Sequence, residues 1–152
     1  MTHRQIVIPL ALVALLIAAA GGVVAQEACS LTVRNGSGST VGRVDSNGTF
    51  RNSSGSTIGR FDRGTVRNSS GSTVGRVDSN GTIRNGSGST IGRVDSNGTL
   101  RNSSGSTVGR IDDNGTVRNS SGSTVGRFDG YVPACRNIAA AYLFFFEPLY
   151  NY

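Results

Sequence analysis

Thr82-Ile83-Arg84-Asn85-Gly86-Ser87-Gly88-Ser89-Thr90-Ile91-Gly92-Arg93-Val94-Asp95-Ser96-Asn97-Gly98 is one of six near-identical units that fill the chain from Thr32 to Gly130. A unit of 17 residues cannot bury a hydrophobic face of its own, so the copies must stack or close around something to share a core. Within it, two β-branched stretches, around Ile83 and from Thr90 to Val94, are separated by Asn85-Gly86-Ser87-Gly88, and Asp95-Ser96-Asn97-Gly98 leads to the next copy. Asn and Gly tolerate the positive φ of tight turns, and Asp and Ser side chains bond nearby backbone amides. Each unit is therefore predicted to be two short strands, and the whole an all-β repeat array of six two-stranded units. Composition alone, with 22 Gly, no Trp and every one of its 15 basic residues an Arg, resembles a disordered linker. The regularity argues for order, because an apolar residue returns at three fixed places in every unit, 18 in all, which a Gly/Ser linker has no reason to keep.

The facing of the apolar residues is left open. Ile91 and Val94 are three apart and face opposite ways in a regular strand. Either a bulge at Gly92 returns both to one face and turns Arg93 outward, or Gly92 faces the core and lets another element approach closely. The string recurs at Gly42, Gly59, Gly75, Gly92, Gly109 and Gly126, so one solution serves six times. The second copy departs from the pattern. It has 16 residues and ends Phe61-Asp62-Arg63-Gly64, so its exit turn is expected to be tighter than those of its siblings.

Residues 1–25 read as a signal peptide: Arg4 in a basic start, an apolar run from Ile6 to Val24, and Val23 and Ala25 as the small residues before a cut ahead of Gln26. The same run is long enough to span a bilayer as an uncleaved anchor, the one circumstance in which a membrane is expected as a partner. Residues 26–31 form a lead containing Cys29, and residues 131–152 a C-terminal segment containing Cys135. Two cysteines that bracket the array of an exported protein are expected to pair. Their bridge closes a loop of about 107 residues and stabilises the fold by roughly 4 to 5 kcal/mol in the chain-entropy account; an intermolecular bridge or two free thiols are the alternatives. Export places the protein in the periplasm, on the cell surface or outside the cell.

After Gly130 the composition turns apolar. Ile138-Ala139-Ala140-Ala141-Tyr142-Leu143-Phe144-Phe145-Phe146-Glu147, stopped by Pro148, is predicted to be a buried helix over 138–147, with Asn137 capping its start. A final edge strand is the other reading. Closure then follows from the disulfide. Cα atoms of bridged cysteines lie within about 7 Å, whereas twelve strands in an open sheet span on the order of 50 Å. A flat array is disfavoured. A closed ring brings the ends together and leaves a hole for the helix; a β-solenoid is the alternative, with its ends roughly 25 Å apart.

The string Ser-Gly-x-x-Ile-Gly-Arg-Val-Asp-x-Asn-Gly-Thr, ahead of Ala139-Ala140-Ala141-Tyr142-Leu143-Phe144-Phe145-Phe146, resembles the bacterial β-flower repeat proteins described as four-fold, with weaker similarity to YD-type repeats. The resemblance covers residues 32 to 147 and implies hairpin petals around a central helix. It assigns no activity.

Catalysis is not expected. Without the signal peptide the chain has no His and no Lys, so no Ser-His-Asp or Cys-His arrangement can be assembled, and neither HExxH nor CxxC occurs. Asp-Ser-Asn-Gly lacks the further oxygen ligands and the bidentate Glu of a calcium loop. No cofactor and no metal is expected. The charged residues form two ladders, Arg34, Arg51, Arg67, Arg84, Arg101 and Arg118, and Arg43, Arg60, Arg76, Arg93, Arg110 and Arg127. Arrayed guanidinium groups are candidate binders of anionic polymers such as lipopolysaccharide, acidic glycans or DNA. The plainer expectation is that the second ladder pairs with the Asp two residues on and the rest is a solvated face. Phe50, Phe61 and Phe128, the aromatics of the repeats, fall at core positions, so the repeats offer none to stack bases and sequence-specific nucleic-acid binding is not expected. The chain reads as a non-catalytic exported structural or interaction module of a bacterial envelope or exterior. Anionic-polymer binding and self-assembly into filaments are the alternatives; beyond such polymers or itself, no partner is indicated.

Overall fold

A computed structural model of the protein describes residues 28–146. The expected signal peptide lies outside those residues, as do Glu147 and Pro148. Each unit folds as a hairpin: β1 (Leu31–Asn35) with β2 (Thr40–Val44), β3 (Thr49–Asn52) with β4 (Thr57–Asp62), and β5 (Thr65–Asn68) with β6 (Thr73–Val77). They are followed by β7 (Thr82–Asn85) with β8 (Thr90–Val94), β9 (Thr99–Asn102) with β10 (Thr107–Ile111), and β11 (Thr116–Asn119) with β12 (Thr124–Asp129). β12 returns to pair antiparallel with β1, Val33 opposite Phe128 and Arg34 opposite Arg127, and the twelve strands close into a barrel. The closed arrangement forms, not the solenoid.

Two sets of turns make two rims. Inside each unit, as at Asn85-Gly86-Ser87-Gly88, the Gly88 N–H donates to the Asn85 carbonyl at 3.0 Å and the Asn85 N–H to that of Ser89 at 2.9 Å. Between units, the Gly98 N–H donates to the Asp95 carbonyl at 3.0 Å and the Asp95 N–H to that of Thr99 at 2.8 Å. Both are three-residue turns ending on a left-handed Gly. The first set forms the Ser rim, the second the Asp rim. In the second unit Arg63 (φ 47°) and Gly64 (φ 86°) instead make a two-residue turn with positive φ at both positions, and β4 runs on to pair Asp62 with Thr65. The tighter exit is what the missing residue predicts.

The open question of facing resolves into parts of both readings. Gly92 lies opposite Ile83 and Thr90 opposite Arg84, so Ile91 is the extra residue of a bulge. Gly92 and Val94 then both point inward, and Ile91 packs partly buried against the core.

The C-terminal segment enters at the Asp rim through a 3-10 turn, Pro133–Cys135, that runs into the helix α1, Arg136–Phe145. The helix begins two residues earlier than expected. Asn137 lies inside it and caps nothing; the Cys135 N–H donates to Val132 O and the Arg136 N–H to Pro133 O, so the 3-10 turn does the work of a cap. The reading as an edge strand is overturned. Ten residues of helix rise about 15 Å, which matches a wall of four-to-six-residue strands about 13–20 Å long.

Wall and helix are complementary in size. Near the Asp rim the wall presents large residues, among them Val44, Phe50, Val77, Val94, Ile111 and Phe128, and the helix presents Ala139, Ala140 and Ala141, all fully buried. Towards the Ser rim the wall presents glycines and the helix its aromatics. A Cβ on Gly42 would collide with the Tyr142 hydroxyl, and one on Gly59, Gly75 or Gly92 with the ring of Phe146, Phe145 or Phe144 respectively. Tyr142 also stands edge-on to Phe50 and Phe128, centroids 5.5 and 6.3 Å away, a favoured aromatic geometry.

The Cys29–Cys135 disulfide spans 106 residues with its Cα atoms 5.8 Å apart. It ties the lead into β1 to the turn that starts the helix. Such a bond fits an oxidising, non-cytoplasmic location.

Candidate functional site

The outer face of the barrel carries both Arg ladders, because Arg alternates with the inward Gly, Val, Ile, Leu or Phe along each strand. Register then sets the ladders side by side. Arg43 lies opposite Arg51, Arg60 opposite Arg67, Arg76 opposite Arg84, Arg93 opposite Arg101, Arg110 opposite Arg118 and Arg127 opposite Arg34. Like charges directly across a strand pair are destabilising, and the turn Asp answers them.

Asp45 receives Arg51 Nε at 2.6 Å on one oxygen and Arg43 Nε at 3.0 Å on the other. Asp78 holds Arg84 at 2.9 Å and Arg76 at 2.8 Å, and Asp95 holds Arg101 at 2.7 Å and Arg93 at 3.0 Å. Asp112 holds Arg118 at 2.7 Å and Arg110 at 3.2 Å. Across the closing seam Asp129 holds Arg34 at 2.5 Å and Arg127 at 2.7 Å. The side-chain hydrogen bond from Arg51, Arg84 or Arg34 is the foremost cause that keeps the carboxyls of Asp45, Asp78 and Asp129 below the usual aspartate range. The pairing of the second ladder with the Asp two residues on is as expected at Arg43, Arg76, Arg93, Arg110 and Arg127, and fails at Arg60. The pairing of the first ladder with the same Asp is not visible along the sequence, since four of those pairs are six residues apart and meet only when the turn folds back, and Arg34 meets Asp129 only when the ring closes.

The first-ladder guanidinium is anchored at its far end as well. Arg84 Nη1 donates to Gly88 O and to Thr90 Oγ1, each at 3.2 Å, and Arg51 and Arg101 repeat the pattern. The turn Asn and Ser are equally engaged: Asn85 Oδ1 accepts from the Ser87 N–H, the Ser87 hydroxyl and the Ser89 N–H at 3.1, 2.8 and 3.0 Å. Composition that resembles a polar linker is thus consumed by turn chemistry.

The junction of the second and third hairpins is the exception. Asp62 contacts Arg63, at 3.8 Å, and its side chain is 57% exposed against 21% for Asp95. Arg60 and Arg67 form no ion pair among the described residues, although Arg67 Nη1 keeps its anchors on Gly71 O and Thr73 Oγ1 at 3.1 and 3.2 Å. Next to Arg67 lies a groove of about 510 Å³, lined by Thr65, Arg67, Thr73, Arg76, Arg84 and Asn85 among others. Among the described residues no three His, Cys, Asp or Glu side chains converge as metal ligands, and no helix is long and apolar enough to cross a membrane.

A family model described as the 5-fold beta-flower protein matches residues 30–147, and the chain belongs to that family. The match is to a five-fold family, not to the four-fold one that the repeat string resembles, and in this chain six hairpins close the ring. No curated protein and no solved structure matches the chain.

Proposed function

We propose that this beta-flower protein is a non-catalytic structural or interaction module, exported to a bacterial envelope or exterior. The observation that carries the reading is the Cys29–Cys135 staple on a closed barrel whose polar side chains are spent on its own turns and clamps. The bridge suits an oxidising compartment, and residues 1–25 supply the address. Closure also leaves no open sheet edge among the described residues, so filament growth by edge pairing finds no support here. Binding of anionic polymers all round the barrel is disfavoured in turn, because five of the six Arg pairs already hold a carboxylate. The test is intact mass of the secreted protein with and without reductant. A monomer that begins at Gln26 and gains two hydrogens on reduction is the expected result. Free thiols on an uncleaved chain, or a disulfide-linked multimer, would overturn the reading.

A further inference from the structure

We infer that the outer wall at the junction of the second and third hairpins is a binding site for a carboxylated sugar, held by Arg67 with Arg60 beside it. The inference gives the proposed interaction module a partner and rests on that reading only for where the ligand is met.

The argument comes from the five other junctions between neighbouring hairpins. At each, a carboxylate sits on the Nε of the first-ladder Arg. Arg67 is anchored like its siblings, through Nη1 to the outer turn and to Thr73, but among the described residues its Nε donates to no carboxylate. The cause is local. Arg63 stands where the first, third and fourth units have Ser-Asn and the fifth Asp-Asn, the strand continues through Asp62, and Asp62 sits beside Arg63 instead of reaching across to Arg67. A guanidinium already fixed at one end loses little freedom when it takes up a ligand. The protein itself shows, five times, that a carboxylate fits that position.

The groove beside Arg67 decides the rest of the ligand. Thr65, Thr73 and Asn85 offer hydroxyl and amide groups, and Arg76 and Arg84 stand on the far wall, both held by Asp78. Among the described residues no aromatic and no aliphatic side chain lines it, so it favours a hydroxylated ring over an apolar peptide side chain. A volume of about 510 Å³ is within the usual range for a small-molecule site. Together these features select a uronic acid, free or within a glycan.

The experiment uses the purified, disulfide-bonded protein, so its outcome is independent of export. Tetragalacturonate is titrated by calorimetry and by the NMR signals of the Arg Nε–H groups, with a neutral galactose tetramer and a Glu-containing hexapeptide as comparators. Binding is expected for the uronate alone, with the Arg67 signal moving. Arg67→Gln is expected to weaken binding about tenfold or more, the loss of one charge-assisted hydrogen bond, while Arg101→Gln leaves it within about twofold. The sharper variant replaces Arg63 by Ser-Asn, which restores the sibling turn. It is expected to abolish binding with Arg60 and Arg67 both present, because Asp62 then occupies Arg67, whereas Arg63→Ser, which removes the same charge without lengthening the turn, retains it. Equal losses for Arg67→Gln and Arg101→Gln, binding that survives the restored turn, or uptake of the neutral sugar would overturn the site. Tighter binding of the peptide than of the uronate would overturn the assignment to a sugar.

Discussion

The Asp rim and the Ser rim of the barrel are built from the same turn, yet they do different work. A Cβ placed on Gly88 or Gly105 at the Ser rim meets nothing within 4 Å, whereas one on Gly81 or Gly98 at the Asp rim runs into the carbonyl oxygen of Val94 or Ile111 in the next hairpin. Those same glycines accept the Val94 and Ile111 amides at 2.9 Å. The disulfide, the start of the helix and the Asp carboxylates all gather at the Asp rim, where Arg136 also reaches Ser96 O at 2.9 Å. One end of the barrel is where neighbouring units are joined; the other is a ring of self-contained loops. Identical local chemistry therefore says nothing about how much a turn contributes to the whole.

The largest effect that tests this contrast is loss of the staple. Cys29→Ser with Cys135→Ser should cost about 4 to 5 kcal/mol, read as a shift of the urea midpoint, and no single change confined to the Ser rim should match it. A midpoint that stays put would break the comparison at its strongest point. Next come the glycines. Gly105→Ala asks only for a left-handed alanine and should cost roughly 1 to 2 kcal/mol, while Gly98→Ala adds a collision with the neighbouring backbone and should exceed roughly 3 kcal/mol. Equal costs in chemical denaturation would show that the Asp-rim turns do not join the units as described.

A smaller difference separates the clamps from the junction that lacks one. Asp95→Asn leaves Arg93 and Arg101 facing each other and should lower stability by about 1 kcal/mol or less, with Asp62→Asn near zero; thermal unfolding at low salt reads both. The smallest effect is the pH dependence. Asp45, Asp78 and Asp129 have their carboxyls held down in the folded state, so the unfolded chain binds their protons first as the pH falls. Their contribution is complete above the ordinary aspartate range and is lost as the pH drops through the depressed folded values. Carbon-detected titration should place these three below about 3.9, the unperturbed value, and stability should fall on acidification with no rise at any step.

How much of this was legible in sequence depended on distance along the chain. The turns, the two strands per unit and the tight exit of the second unit followed from adjacent residues, since Asn, Gly and Asp act on their own backbone. Closure followed from two cysteines and the reach of a disulfide. The facing of Gly92 did not, because a bulge shifts parity by one and the extra residue, Ile91, is apolar like the inward ones. The helix start was misplaced at Ile138 because Asn137 resembles a cap, while the backbone of Pro133–Cys135 supplies one without a side chain. The double clamp, and with it the exception at Arg60 and Arg67, needed the register of neighbouring hairpins. Only one clue to it stood in the sequence, the Arg63 that replaces Ser-Asn.

Residue-resolved amide hydrogen exchange on the oxidised protein tests the central claim, that six hairpins close into one barrel around the helix. The account predicts that amides on both sides of the β1–β12 pair are protected as strongly as those of β7–β8 on the far side of the ring, and that Ala139 to Leu143 exchange among the slowest. Fast exchange at the β1–β12 pair beside slow exchange elsewhere would contradict closure and leave an open array.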